Sequence, residues 1–488
     1  MPRVVIFVFD GLQAELVTPE LMPRLHEFAA TGLRLAGHQP VFPSVTRVNA
    51  SSIVTGCFPG THGLPGNLSL IPAYHPTEPM NAMRPEFLEL RERDGRLLLV
   101  PTLAEVLATH GLDYVAAGIG STGQSFVHHP NGDHPDGDAA SLGASIHPEY
   151  TLPGDLHDQL TARFGPWPSP ALPNVARIDR LIDVVTRYVL ADRDPAVALL
   201  WCSEPDGSQH ASPLNSGLVR AAAGAADAAF GRLLDSLEDS GTAADTNVIV
   251  TCDHGHSTVD ALVPLPDLLA AGGFAPPGEP GGVVAAGNGG SALLYVPDGD
   301  RAVADHLAAW LMAQWWAGPL LASPRLGPIE GTLSTALLGL DGERGPDFAL
   351  SFAWDDRPND HGQRGYVYAS GGKPGHGQHG SMSPAELRTF TVARGPAFRA
   401  NATVSTPTGH PDLAPTVLRI LGLEPPPHMD GRVIEEALVG GAPTPEPPAP
   451  PEEHVAARPL EHGHYRQRLL LAPAGRGAYV LEASAEHE

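Results

Sequence analysis

Arg3-Val-Val-Ile-Phe-Val-Phe9, followed at once by Asp10-Gly11, is an unbroken β-branched and aromatic run that ends in a carboxylate. A run with no polar alternation is what a strand covered on both faces requires. Two later stretches repeat the arrangement. Ala196–Cys202 (AVALLWC) leads to Asp206, and Asn247–Cys252 (NVIVTC) leads to Asp253-His254. Helical patterns fall between them, at Pro23–Thr31, Pro101–His110, Asn174–Ala191 and Ser216–Ser240, with a further strand at Asp113–Gly118. In the third helix Ile178, Leu181, Ile182, Val185, Tyr188 and Val189 keep a 3.6-residue period. Strands alternating with helices predict a doubly wound α/β sheet. Ligands of such sheets bind beyond the carboxyl ends of the strands, where Asp10, Asp206 and Asp253-His254 all fall.

Beyond this frame the pattern weakens. Residues 120–170 are rich in His, Gly, Pro and Asp and read as loop. Residues 257–375 read as a less regular insertion, with a helix near Asp305–Trp316, that forms a cap. Arg388–Ala393 predicts another strand and Pro411–Gly422 another helix, opened by Pro411-Asp412. Residues 442–452 (APTPEPPAPPE) read as a polyproline-like linker. Tyr465–Ala472 and Ala478–Glu482 then form a terminal hairpin. The expected organisation is a core of residues 1–256 and 376–440, a cap of 257–375, and a tail of 441–488.

The 488 residues carry Lys+Arg 30 against Asp+Glu 55, a net charge of −25. That balance excludes generic binding to nucleic acid or an anionic membrane, though not local capture of one phosphate. Lys373 is the single lysine, so the cationic side chains are almost all arginine. Three scattered cysteines make no disulfide framework. The strongly apolar runs are far shorter than a bilayer span, and the first strand begins without a leader-like segment, so a cytoplasmic enzyme is expected. The 23 histidines prompt a search for metal ligands.

Four segments supply such ligands: Phe9-Asp10-Gly11, Glu204–His210 (EPDGSQH), Cys252–Gly255 (CDHG) and Gly375–Gly380 (GHGQHG). Asp206 and His210 are four apart, so a helical turn lets both reach one cation. Mixed carboxylate and imidazole ligation suits zinc, with manganese or iron as alternatives. A fifth segment, Pro43–Gly56 (PSVTRVNASSIVTG), places Thr46 near the start of a helix. A hydroxyl there is either an N-cap, as Ser44 also offers, or a nucleophile activated beside a metal.

The ordered set FDG, FPSVTRVNASSIVTG, PGTHGLPGN, EPDGSQH, CDHGH, HGSMSPAELRTFTVARGPAF and DLAPTVLRILGLEPPPHMDGR resembles the type I phosphodiesterase/nucleotide pyrophosphatase family of the alkaline phosphatase superfamily. The matches run from residue 4 to about 436. The resemblance implies an alkaline-phosphatase-like α/β fold, its central mostly parallel sheet flanked by helices, and a two-metal hydrolase acting on phosphodiesters or related small phosphoryl substrates. Asp10, Thr46, Asp253 and His254 match the ligands of one metal, with Thr46 the nucleophile that becomes phosphothreonine. Asp206, His210 and His379 match the ligands of the second, with His376 and His410 as rivals for the place of His379. Asn67 matches an asparagine that donates to a phosphoryl oxygen. His256 and His62 are expected as loop or supporting residues.

One position departs from the family. Members acting on nucleotides carry an aromatic residue after the nucleophile, lining the base pocket; here it is Arg47. Arginine either offers a fork for phosphate or carboxylate in the substrate or points away to a surface acid. Phosphonoacetate hydrolases resemble the same N-terminal block but bind the substrate carboxylate with lysines, and the matching stretch Ala116–Phe126 has none. That activity is the alternative enzyme, and a non-catalytic metal-binding protein is the alternative from another class. Sulfatases need a modified cysteine or serine where Thr46 stands, and Cys57 reads as a packed thiol.

Overall fold

The computed structural model describes residues 3–132, 142–443 and 449–487. Its central sheet has nine strands, numbered in chain order: β1 (Arg3–Phe9), β2 (Leu33–Leu35), β3 (Tyr114–Gly118), β4 (Ala144–His147), β5 (Tyr150–Leu152), β6 (Val197–Cys202), β7 (Thr246–Thr251), β8 (Val392–Arg394) and β9 (Ala402–Val404). They lie in the order β9-β2-β8-β7-β1-β6-β3-β4-β5. The sheet is mixed and mostly parallel, as the alternating pattern predicts. The antiparallel pairs are β7 with β8, β8 with β2, and β4 with β5.

The unbroken run of β1 is explained by its central place. Successive side chains point to opposite faces, and both faces are covered. Val4, Ile6 and Val8 pack with Ile53, Leu107 and Val417 on one side. Val5, Phe7 and Phe9 pack with Phe28, Leu181 and Phe230 on the other. The helices that matter for the site are α1 (Thr46–Thr55), α2 (Asp206–Ala211) and the long α3 (Gly217–Asp239).

Register brings the acidic strand ends together. Val8 lies opposite Thr251, so Asp10 and Asp253, each two residues further on, reach the same level. Phe9 lies opposite Cys202 on the other flank, and the Asp206 amide N–H then donates to the Asp10 carbonyl at 3.0 Å.

Several weak stretches are more ordered than their composition suggests. Residues 120–170 contain helices Thr122–Phe126 and Asp155–Phe164 as well as β4 and β5, while 133–141 lie outside the described residues. The strands and the helix Thr122–Phe126 are too short to show a period, whereas Asp155–Phe164, with Leu156 and Leu160 buried one turn apart, carries a helical signal that the loop-like composition around it obscured. The stretch 257–375 is not irregular either. It contributes to a four-stranded sheet and holds a five-stranded one, and its helix runs Arg301–Met312. Strands such as Ser291–Tyr295 and Ala317–Ala322 are fully buried runs of five or six residues, which periodicity cannot separate from helix. The helix expected over Asn174–Ala191 starts at Val175 and changes to a π-helix over Val185–Arg193.

The tail holds a three-stranded antiparallel sheet, Glu452–Leu460, Gly463–Ala474 and Gly477–His487, rather than a hairpin. Part of the expected linker, 444–448, lies outside the described residues, and its last residue, Glu452, already belongs to a strand. The sheet is docked by buried groups. Tyr465 Oη donates to the Gly318 carbonyl at 2.8 Å, and Gln467 exchanges hydrogen bonds with Leu320 at 2.8 and 3.0 Å. Tyr479 packs on Phe58 and donates to Asp412 Oδ2 at 2.9 Å.

Candidate active site

The first cluster gathers Asp10, Asp253, His254 and Thr46. Asp10 Oδ2 accepts from Trp201 Nε1 at 2.8 Å, and Asp253 Oδ1 accepts from the Gly11 N–H at 3.0 Å. The remaining oxygens, Asp10 Oδ1 and Asp253 Oδ2, are buried and have no hydrogen-bond partner. They lie 3.7 and 3.1 Å from His254 Nε2. Thr46 Oγ1 lies 3.1 Å from the same nitrogen. Gly11 is required here. It adopts φ +68°, and a Cβ would fall 2.5 Å from the His256 ring and 3.0 Å from Asp206 Cβ.

Thr46 opens α1, but the N-cap is Val45, and no side chain caps the helix. The capping role open to Ser44 or Thr46 is therefore filled by neither. Ser44 Oγ instead faces the Ser381 carbonyl at 2.9 Å and Glu386 Oε2 at 3.1 Å, which ties the threonine loop to the loop of His379.

The second cluster gathers imidazoles around Asp206. Its Oδ1, also buried and without a hydrogen-bond partner, lies 3.2 Å from His210 Nε2, 3.1 Å from His256 Nε2 and 3.7 Å from His379 Nε2. Among the described residues, the His, Cys, Asp and Glu side chains whose donor atoms all lie within 4.8 Å of one another form two groups: Asp206, His254, His256 and His379, and Asp10, Asp253 and His254. His210 contacts Asp206 from the helical turn of α2, although it is not in that group of four. The rivals stand elsewhere. His410 uses both ring nitrogens, on Asn49 Oδ1 at 2.8 Å and the Cys252 carbonyl at 2.9 Å, while His376 Nδ1 faces the His210 carbonyl. His62 is buried against Ser52.

His256 is the residue the sequence reading set aside, and only the second His of CDHGH hinted at it. Ring hydrogen bonds assign it a different part from its neighbours. His210, His254 and His379 each turn Nδ1 to a carbonyl, of Gly377, Gly255 and Ser44, at 3.1, 3.1 and 2.9 Å. A carbonyl accepts, so Nδ1 carries the proton and Nε2 keeps its lone pair for a cation. His256 Nδ1 instead faces the Gln209 amide nitrogen at 3.2 Å, and that amide also donates to the Gly11 carbonyl at 2.7 Å. The His256 proton then sits on Nε2, facing Asp206.

Electrostatics match a cavity built for cations. Burial, with Asp253 and Asp206 nearby, holds Asp10 well above the usual carboxylate range. Burial also works against charge on Asp206, but His210 and His256 outweigh it and bring that group down. Burial opposes the charged forms of His210 and His254, and the facing Asp206 and Asp253 carboxylates overcome it. Burial depresses His256 to about 4, so its ring is neutral. Three carboxylate oxygens without hydrogen-bond partners beside imidazole lone pairs form the hard and borderline donor set of a zinc- or manganese-type site, so the residues fit two divalent ions.

Above the clusters opens a cavity of about 410 Å³ walled by Arg47, Asn67, Asn81, Gln378, His210 and His379 among others. Asn67 Oδ1 accepts from the Arg47 N–H at 3.1 Å, which leaves its amide N–H₂ group as a donor toward this space. The loop is pinned by Asn288, whose side chain bonds both the N–H and the carbonyl of Leu68. Arg47 does not point to a surface acid; its guanidinium meets Ser121 Oγ, Asn81 Oδ1 and Met83 Sδ at 3.3, 3.4 and 3.0 Å. Cys57 is a buried thiol pushed up to about 12 by its burial. Among the described residues no helix is long and apolar enough to cross a membrane.

A sequence model of the type I phosphodiesterase / nucleotide pyrophosphatase family matches residues 4–314. Among curated proteins, the chain is 24% identical over 277 residues to bis(5'-adenosyl)-triphosphatase enpp4 of Xenopus laevis, covering 56% of this chain and 52% of that protein. It is 23% identical over 258 residues to ectonucleotide pyrophosphatase/phosphodiesterase family member 3 of Mus musculus, covering 52% and 25%. The chain thus spans about half, or less, of the length of these relatives. Among solved structures, murine ectonucleotide pyrophosphatase/phosphodiesterase 5 superposes with a TM-score of 0.61 at 18% identity, over 90% of this chain and 100% of that one. An inactive form of the same murine protein in complex with AMP gives 0.59 at 18%, over 88% and 97%.

Proposed function

The chain belongs to the type I phosphodiesterase/nucleotide pyrophosphatase family, and from that premise we propose that it is a two-metal hydrolase of phosphodiesters or related phosphoryl compounds with Thr46 as nucleophile. One observation carries the reading: the Thr46 hydroxyl stands 3.1 Å from His254 Nε2, beside carboxylate oxygens of Asp10 and Asp253 that have no hydrogen-bond partner. Asp10, Asp253 and His254, with Thr46, would hold one ion, and Asp206, His210 and His379 the other. When bound, divalent ions supply Lewis-acid charge that lowers a hydroxyl pKa and neutralises phosphoryl oxygens. Zinc suits the donors best, with manganese as the alternative.

The chain's own groups then divide the work. The Thr46 oxygen forms a bond to phosphorus while the bond to the leaving oxygen breaks, giving phosphothreonine. Water cleaves that ester in a second step and restores the hydroxyl. Asn67 Nδ2 donates to a phosphoryl oxygen as charge develops there. Residues 257–375 supply Gly287–Gly289 to the cavity wall, which supports their role as a cap. The buried free thiols Cys57, Cys202 and Cys252 suit a reducing compartment, which supports a cytoplasmic setting. The names of the relatives speak of nucleotide substrates, and nucleotides are one class to assay.

Incubation with bis-(p-nitrophenyl) phosphate and zinc or manganese tests the reading. Release of p-nitrophenol that a chelator abolishes is expected. No such release would favour the non-catalytic metal-binding protein, and phosphate release from phosphonoacetate alone would favour the phosphonate hydrolase.

A further inference from the structure

Resting on the hydrolase reading of this site, we propose that its substrate carries, besides the phosphoryl group under attack, a second small oxyanion seated on Arg47, where nucleotide-cleaving relatives accommodate a base. Arg47 follows Thr46 on the first turn of α1 and lines the same cavity as His210 and His379, two of the proposed ligands. Its guanidinium meets only a hydroxyl, an amide oxygen and a thioether, and among the described residues no carboxylate comes within 4.0 Å of it. Burial works against its charge, Asp10, Glu86 and Asp206 offset this only from beyond ion-pair distance, and an incoming anion would be its first direct ionic partner.

The walls point the same way. Among the described residues no Phe, Tyr or Trp lines the cavity, so none of them offers an aromatic plane there on which a nucleobase would stack. Its polar lining is amide-rich, with Asn67, Asn81 and Gln378 beside Arg47. The phosphoryl group under attack is already served by the two clusters and Asn67. The guanidinium fork is thus left to grip a second group, a carboxylate or a further phosphoryl.

Calorimetric titration of zinc-loaded Thr46→Ala protein, with and without Arg47→Met, reads this without turnover. The probes are methylphosphonate, phosphonoacetate, methylenediphosphonate and AMP. In the Arg47 background, at least one of the two probes with a second anionic group, phosphonoacetate or methylenediphosphonate, is expected to bind about tenfold tighter than methylphosphonate. Whichever gains more identifies the second group as carboxylate or phosphoryl. Arg47→Met is expected to erase that gain and leave methylphosphonate within about threefold, and Arg47→Lys to restore part of it. Equal weakening of every probe would overturn the proposal, because Arg47 would then read the transferred phosphoryl group. AMP binding more tightly than phosphonoacetate and methylenediphosphonate, unaffected by Arg47→Met, would overturn it in favour of a base pocket. No binding of any probe at millimolar concentration would overturn it too. The bis-(p-nitrophenyl) phosphate assay keeps the two claims apart: turnover without the Arg47-dependent gain sinks only the second oxyanion, and the gain without turnover sinks only the hydrolase.

Discussion

The two donor clusters share one cavity floor but differ in make-up. Around Thr46 the donors are mostly oxygens, from Asp10 and Asp253, with one imidazole, His254. Around Asp206 they are mostly nitrogens, with one carboxylate facing His210, His256 and His379. The oxygen-rich side sits directly on the ends of β1 and β7, whose register is fixed by the sheet. The nitrogen-rich side is assembled from α2 and two loops. On the proposed reading, the nucleophile then stands beside strand ends fixed in register, and the second ion would be held by groups from one short helix and two loops.

The largest expected effect tests the oxygen-rich side. Thr46→Ala should lower turnover of bis-(p-nitrophenyl) phosphate by about 10³-fold or more while zinc content, read by elemental analysis, stays near two per chain. Near-normal turnover would take the nucleophile's part from Thr46 and leave the two clusters distinguished by donor type alone. The next effect belongs to the nitrogen-rich side. His256→Leu should weaken zinc binding at one cluster by roughly 10- to 100-fold, because Asp206 loses the N–H facing it, while the other cluster changes little. The cobalt-substituted protein should keep its visible absorption bands. A shift signalling one nitrogen ligand fewer would make His256 a ligand and the cluster richer in nitrogen than its ring hydrogen bonds indicate.

The smallest effect separates these imidazoles from ones that only pack. Burial depresses His62 and His128 to about 3, and His410 to about 4. An unfolded histidine titrates near about 6.5. Between those values the unfolded chain binds protons that the folded chain excludes. The stability contributed by these neutral rings is thus complete above about pH 6.5 and is lost as pH falls toward about 4. The melting temperature of the metal-free protein should drop by roughly 5 °C between pH 7.5 and 5. His62→Gln and His410→Gln should flatten that slope, whereas His254→Gln should steepen it, because burial of that ring is overcome by the facing Asp253, which raises it and makes its contribution one that is lost as pH rises.

The oxygen-rich side was legible because strand and ligand are adjacent in sequence: RVVIFVF runs into Asp10 and NVIVTC into Asp253-His254. Asp206 and His210 were legible because a helical turn has a fixed spacing. What lay beyond reading was assembled across the chain. The part assigned to His256 depends on Gln209, 47 residues away, turning an N–H to its ring. The surroundings of Arg47 depend on Ser121, Asn81 and Met83, and no local pattern announces any of them. The sheets of 257–375 and the third strand of the tail share that cause: each short strand takes its identity from a neighbour distant in sequence.

The docking of the last strand carries a consequence for synthesis. Tyr479 reaches Asp412, on the same short 3₁₀ turn as His410, which in turn holds Asn49 of the Thr46 helix and the carbonyl just before Asp253. While the chain is being made from its first residue, every proposed ligand leaves the ribosome well before this tether does. The floor of proposed ligands is thus fastened from behind only after the tail strand has been made, and a nascent chain stalled ahead of Gly477 carries all of those ligands without the brace that steadies them.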